Sequence, residues 1–506
     1  MEIIAERRLN LVVLAAAGLL AAAIVIMPVE HVPILLLAAA GVGALAAWAV
    51  LGDLLTATLI WFVAVICFDE EFWRVAVPFF FNITISRVLV VVLAVLWVMI
   101  LVIGRTHVRS PGAVLPLMAA LLGFFTLSAA ITGFETIAVA TVHYRLIGGY
   151  WFAFAIFFFV LHGVQTEQQV LRLLKFFFAI SVYLTFTAWC EHLELWSLVF
   201  PKYITDATKG IHWGRVRGPF LVSPTMGVAL VFCYFNNLVL ARQVRGLSKL
   251  PIYLLCGGIL PAVFWTQTRS AWLALILATM VWLVYTRRRW SRLAAICALT
   301  AAAIAILTVN MENVSSQDRT RGGVTDPKPI YVRIGLALVT WDMFLEHPLV
   351  GVGFGHFRDE APRYARQVDS PYYQFASSAM EHNNFLSLLA ETGVVGLALY
   401  LVLLVVLLRI SIRLYRRLPV SAPGPVARDV PVLYWVLFVV YIVDGMFRET
   451  SVHPFTNSLF FGVSGLVIAL DWLLRPQPVR PRAVSGPWPP IGLPERLEEA
   501  HPEPGS

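Results

Sequence analysis

Four arginines and one histidine stand out because nothing around them explains their placement. Arg215 and Arg217 lie in HWGRVRGPF, Arg269 in TQTRSAW, Arg333 at the start of an apolar-patterned stretch, and His382 in MEHNNFLSLLAETG. A guanidinium is a planar fork of donors that matches two phosphate oxygens at once. Several such forks converging on one pocket would suit a diphosphate and would take up the charge of a leaving group. An imidazole titrates near neutrality, so His382 can accept a proton from a hydroxyl or return one. His382, Arg269, Arg333 and Arg217 form the candidate catalytic set. Arg215, His356, Asn383, Glu381 and Arg448 are the candidate substrate-binding residues. Arg448 and His453 fall in one late turn and could line the same cavity. No DxD or other carboxylate cluster lies nearby to hold Mg²⁺, which points to a metal-independent reaction without a cofactor.

The elements that must position these residues belong to a membrane. Of 506 residues 59% are apolar and 13% charged, against about 25% charged in an average soluble chain. Apolar runs long enough to cross a roughly 30 Å hydrocarbon layer occur near 9–28, 31–50, 52–68, 87–104, 112–131, 147–163, 171–190, 221–240, 250–267, 270–286, 291–309, 385–409, 431–447 and 455–473. The reading is an all-α polytopic membrane protein with about 12–14 transmembrane helices and one large loop over 310–384 that itself contains helices. The first span lacks a cleavage-like small-residue site and reads as a retained anchor. Cys67, Cys190, Cys233, Cys256 and Cys297 are scattered with no CxxC, so they read as small buried hydrophobes, not as a metal site or disulfide framework.

Charge gives orientation. Basic clusters at Arg7-Arg8, Arg105/Arg109, Arg172/Lys175, Arg242/Arg245/Lys249, Arg287 to Arg292, Arg413 to Arg417 and the tail from Arg475 all fall on one side if the chain starts in the cytoplasm. The opposite side receives 69–86, 132–146, 191–220, the 265–270 turn, 310–384 and 444–454. The formal charge of +8 is therefore mainly topogenic, and nucleic acid is not an expected partner. Inside the large loop, apolar spacing predicts a helix over Ile330 to Glu346 stopped by His347-Pro348. Gly351, Gly353 and Gly355 then predict a flexible turn ending at His356, and a short helix is expected from Glu381 into the span at Phe385. Glu391, more than two turns beyond His382, is expected to brace a neighbouring span. The organisation expected is an N-terminal bundle over 1–210, a second transmembrane domain over 211–475, and a disordered cytoplasmic tail over 476–506.

On these residues the chain resembles the O-antigen ligase and O-antigen polymerase superfamily of bacterial membrane glycosyltransferases. The matching pieces are RGPFLVSPTMGVAL at 217–230, TQTRSAWLAL at 266–275, the stretch from Arg333 through HPLVGVGFGHF at 347–357, and HNNFLSLLAETGVVGLALY at 382–400. The resemblance implies a GT-C-like fold in the bacterial inner membrane with its active site facing the periplasm. It implies transfer of a glycan from an undecaprenyl-diphosphate donor to a hydroxyl on a lipid-anchored or glycan acceptor, with inversion and without a metal. Arg269 and Arg333 would then hold the diphosphate, Arg217 would support the pocket, and His382 would activate the acceptor or organise the donor. The 211–475 segment is the O-antigen ligase-like domain on this reading, with membrane lipids and polysaccharide-assembly proteins as further candidate partners. Ligation to lipid A core is the first reading, polymerisation of lipid-linked repeats of an O-antigen or exopolysaccharide the alternative. A lipid-linked saccharide transporter is the reading from another class; it predicts ionisable groups and broken helices at mid-membrane.

Overall fold

The computed structural model describes residues 53–68, 72–75, 82–102, 108–136, 141–285, 328–365, 382–418 and 428–474, and within helix 328–346 the side chains from 331 onward. These residues form thirteen helices, with one isolated antiparallel bridge between Val75 and Ile83. In chain order they are α1 Leu54–Cys67, α2 Ile85–Val102, α3 Val114–Thr132, α4 Tyr144–Gly163, α5 Glu167–His192, α6 Ser223–Gln243, α7 Leu250–Trp265 and α8 Arg269–Tyr285. After them come α9 Lys328–Glu346, α10 Phe357–Ala365, α11 Asn384–Arg417, α12 Asp429–Phe447 and α13 Pro454–Leu473. Nine segments among the described residues are long and apolar enough to cross a membrane, and α1 and α8 are shorter apolar helices. The protein is an all-α, multi-pass membrane protein. The expected spans at 9–28, 31–50 and 291–309, the loop start at 310–327, Cys297 and the tail at 476–506 lie outside the described residues.

Contacts fix which helix ends lie together. At one end, Arg172 at the start of α5 pairs with Asp53 before α1, Arg242 at the end of α6 with Asp429 at the start of α12 (2.5 Å), and Arg417 at the end of α11 with Asp471 near the end of α13 (2.8 Å). The other end, called the site end below, carries the α7–α8 turn, the α12–α13 turn, α9, α10 and the start of α11.

Apolar helices in lipid gain little from hiding apolar surface, so close packing and internal hydrogen bonds hold them together. The α4 and α13 pair shows both. Gly465 of α13 lies so close to α4 that a Cβ there would stand 2.4 Å from the Phe157 carbonyl oxygen. A polar chain crosses the core: the Tyr400 and Tyr441 hydroxyls are 2.7 Å apart, Tyr441 donates to Asn457 Oδ1 at 2.8 Å, and Asn457 Nδ2 donates to the Gly149 carbonyl at 2.8 Å. It links α11, α12, α13 and α4, leaving each of these buried groups a partner.

The local feature that shapes the site end is a break in α11. Gly393 has φ 61° and ψ −165°, so the helical ladder stops there for one residue. The segment 348–353 fills the gap. Val394 N–H donates to the Pro348 carbonyl (2.9 Å), Val352 N–H to the Ala390 carbonyl (2.9 Å) and Gly353 N–H to the Glu391 carbonyl (2.9 Å). A Cβ on Gly393 would meet the Leu349 carbonyl carbon at 2.3 Å, and one on Gly351 would meet Glu391 at 2.3 Å. The glycine-rich turn expected to be flexible is therefore docked: its glycines permit backbone-to-backbone contact with a broken helix.

Candidate functional site

Three elements meet around one cavity at the site end. Leu336, Val339 and Met343 of α9 pack against Phe357, Ala361 and Tyr364 of α10 and Ala390 of α11. Residues three apart share a helix face, so fixing Leu336 also fixes the direction of Arg333. The Arg333 guanidinium carbon lies 5.1 Å from the centroid of the Phe447 ring at the end of α12, a cation–π contact worth roughly 0.5–2 kcal/mol depending on desolvation. On the third side, the Asn383 side chain caps α11 by accepting from Phe385 N–H at 2.9 Å and Leu386 N–H at 3.1 Å. That cap fixes the backbone immediately after His382.

Arg333, Leu336, His382, Asn383, Leu386 and Met446 enclose about 200 Å³. Pockets that take a whole drug-sized ligand run to about 300–1,000 Å³, so this chamber fits a headgroup-sized fragment. The Arg333 cation and the positive end of the α11 dipole favour an anion there, and the His382 imidazole stands in the same lining. A larger groove of about 590 Å³ between α3 and α4 is lined by apolar side chains such as Met118, Leu122, Trp151 and Phe158, together with Thr126, and holds no titratable side chain.

The structure thus brings Arg333, His382 and Asn383 together. Arg269 is the half-buried first residue of α8 and lies at the same end, but outside the cavity lining. Arg217 goes elsewhere. It is fully buried, its guanidinium donates to the carbonyls of Lys209, Ile204 (3.1 Å) and Asp206 (2.7 Å), and it stands 4.5 Å from the Trp213 ring. Burial lowers its pKa, while Glu191 and Asp206 act in the opposite sense. Arg217 organises the α5–α6 loop, with Arg215 half-buried in the same loop. Arg448 is spent on packing too: it donates to Asp444 (2.6 Å), Thr225 (2.6 Å) and Thr456 (3.3 Å). Its neighbour His453 is half-buried, and desolvation, then Arg448 and His212, hold the imidazole well below its ordinary value. Neither lines the cavity; Met446, at the end of α12, is what this part of the chain contributes to the lining. His356 ties α10 to the end of α3, with Nδ1 2.9 Å from Asp359 and Nε2 3.0 Å from the Gly133 carbonyl. Glu381 lies outside the described residues.

Sequence reasoning passed over Arg145. Placing the span at 147–163 left it in a loop, whereas α4 begins at Tyr144 with a π-helical stretch to Trp151 and takes Arg145 into the protein. There it donates to both Glu391 oxygens, at 2.6 and 2.7 Å, to Glu449, to Ser451 Oγ at 3.1 Å and to Ser387 Oγ at 3.4 Å. Glu391 does brace a neighbouring span, as its distance from His382 suggested. The available signal was an arginine opening an apolar run, RLIGGYWFAF, with no acidic residue in the run to neutralise it.

Comparison with known proteins falls on the same part of the chain. A family model described as O-antigen ligase matches residues 252–401. That stretch holds Arg269, Arg333, His356, His382 and Asn383; Arg217 and Arg448 are outside it. A curated relative, the O-antigen ligase of Salmonella typhimurium, is 27% identical over 201 residues, 39% of this chain and 48% of that protein. The chain thus matches about half the length of that relative. The chain is thus similar to O-antigen ligases over this stretch.

Proposed function

We propose that this protein is a membrane glycosyltransferase of the O-antigen ligase type, moving a glycan from undecaprenyl diphosphate to a hydroxyl of lipid A core. The observation that carries the reading is the pairing of Arg333 and His382 across one small cavity, inside the segment that the O-antigen ligase family model matches. In the proposed step, the acceptor oxygen attacks the anomeric carbon from the face opposite the diphosphate. The new carbon–oxygen bond forms as the bond to the leaving phosphate oxygen breaks, and the configuration inverts. His382 takes the hydroxyl proton. The diphosphate leaves as an anion, which Arg333 and the N-terminus of α11 stabilise, and Arg269 approaches from the same end of the bundle. These guanidiniums fill the role that a divalent cation plays elsewhere.

The site end would face the periplasm of a bacterial inner membrane. The opposite end, with Arg242, Arg413, Arg416 and Arg417 at helix termini, carries the basic residues that favour the cytoplasm. Purified protein given undecaprenyl-diphosphate glycan, lipid A core and a chelator tests the reading. Transfer should persist with chelator, and Arg333→Ala, Arg269→Ala and His382→Ala should each lower it at least a hundredfold, a range seen when a donor to developing charge is removed. Joining of two lipid-linked glycans in place of transfer to lipid A core would identify a polymerase. Carriage across a sealed vesicle without new glycosidic bonds would identify a transporter.

A further inference from the structure

We infer that Arg145 is a positioning residue for the cavity, holding its walls in register through a buried carboxylate pair; this rests on the transferase reading above. Its five hydrogen bonds are not spread at random. They go to Glu391 and Ser387 of α11, and to Glu449 and Ser451 of the α12–α13 turn. They adjoin separate walls of the cavity: His382 and Asn383 lead into α11, which holds Leu386, and the α12 end that runs into the turn holds Met446, which lines the cavity, and Phe447, on which Arg333 rests.

The same two elements are joined a second time close to the cavity. Thr450, next to Glu449, donates from its N–H (3.3 Å) and its hydroxyl (3.0 Å) to Asn384 Oδ1, two residues after His382. The third wall is tied in through Glu391, whose Oε1 also accepts the Phe357 N–H at 3.3 Å. Phe357 packs with Leu336 in the cluster that sets the direction of Arg333. One guanidinium therefore bonds α11 and the α12–α13 turn directly and reaches α9 through Glu391, Phe357 and Leu336, while none of its hydrogen bonds goes to a cavity-lining residue. Arg145 is held there by a π-helical opening of α4, a strained variant often retained where function needs a particular side-chain direction. A Cβ on the neighbouring Gly149 would fall 2.4 Å from the Ser451 carbonyl oxygen, so α4 and the turn are in direct backbone contact as well.

A positioning role and a merely structural role separate in one comparison. The triple variant Arg145→Met, Glu391→Gln, Glu449→Gln removes the desolvation cost of all three buried charges together, and the glutamine oxygens can still accept from Phe357 N–H and the Ser451 hydroxyl, so it should melt close to wild type. It nevertheless loses the fork that sets the distance between the walls. Displacing a reacting group by about 1 Å costs roughly a hundredfold in rate, and we expect turnover of undecaprenyl-diphosphate glycan onto lipid A core to fall by that order at unchanged thermal stability. Arg145→Lys keeps the charge and loses the second prong; it should fold and show an intermediate loss. Wild-type turnover in the triple variant or in Arg145→Lys would overturn the inference. Absence of transfer by the wild type would instead overturn the functional reading, and the inference with it.

Discussion

Glu391→Gln and Glu449→Gln are the same edit at two carboxylates around one guanidinium, and the geometry sets them apart. Glu391 is fully buried and accepts from both terminal nitrogens of Arg145, at 2.6 and 2.7 Å. A glutamine there opposes an NH₂ group to a guanidinium nitrogen and removes the counter-charge. Breaking a buried pair from one side costs about 3–5 kcal/mol, and because Glu449 remains, the lower end, about 3 kcal/mol, is expected. Glu449 accepts one Arg145 nitrogen and the Ser451 hydroxyl through a single oxygen, Oε1. A glutamine keeps that oxygen, so about 1 kcal/mol is expected at neutral pH, the size of an ordinary hydrogen-bond adjustment. Burial, outweighing Arg145, raises the Glu449 carboxyl to about 7. An unfolded carboxyl ionises earlier, so the folded protein holds a proton that the unfolded chain has lost. The stability from Glu449 is complete below the ordinary carboxylate range and is lost as pH rises through about 7. Unfolding in mixed micelles at several pH values measures this: wild type should weaken from acid to neutral pH, Glu449→Gln should weaken less, and Glu391→Gln should be the least stable near neutrality. A cost for Glu449→Gln equal to that for Glu391→Gln, or a wild type indifferent to pH, would refute the reasoning.

Gly393→Ala would place a Cβ 2.3 Å from the Leu349 carbonyl carbon at a positive φ, so it should destabilise by more than the roughly 1 kcal/mol of an ordinary glycine substitution and free 348–353 for limited proteolysis. Asn383→Ala removes the α11 cap and should cost about 1 kcal/mol, seen as faster hydrogen exchange at Phe385 and Leu386. Arg217→Met should reduce folded yield, because it strips three loop carbonyls, that of Ile204 buried, of their donor. The surviving folded protein should still transfer glycan, whereas a variant that is stable but inactive would return Arg217 to the chemistry.

Much of the fold was legible because apolar run length is a direct physical requirement of crossing a membrane. The helix over Ile330 to Glu346 was legible for a related reason: its apolar spacing and the His347-Pro348 stop are local, and the observed α9 ends at Glu346. The docked 348–353 segment was not. Its glycines look the same to local rules whether they serve mobility or backbone contact, and only the non-local bonds to Ala390, Glu391 and Val394 decide. The arginines divide the same way. Arg333 and His382 line one cavity, yet Arg217 and Arg448, equally conspicuous in sequence, are used to satisfy carbonyls, hydroxyls and a carboxylate. An isolated cation announces that it needs a partner without saying which one, and Arg145 was hidden because its partners lie 242 to 306 residues away.

The most direct test of the central proposal is the dissociation constant of undecaprenyl-diphosphate glycan, measured beside transfer rate, for Arg333→Ala and His382→Ala. Arg333→Ala should weaken donor binding at least tenfold, about 1.4 kcal/mol, and His382→Ala should bind the donor within a few-fold of wild type while transferring almost none. Unchanged donor affinity in Arg333→Ala, or near-normal transfer in His382→Ala, would contradict the assignment of this cavity to the diphosphate and its acceptor.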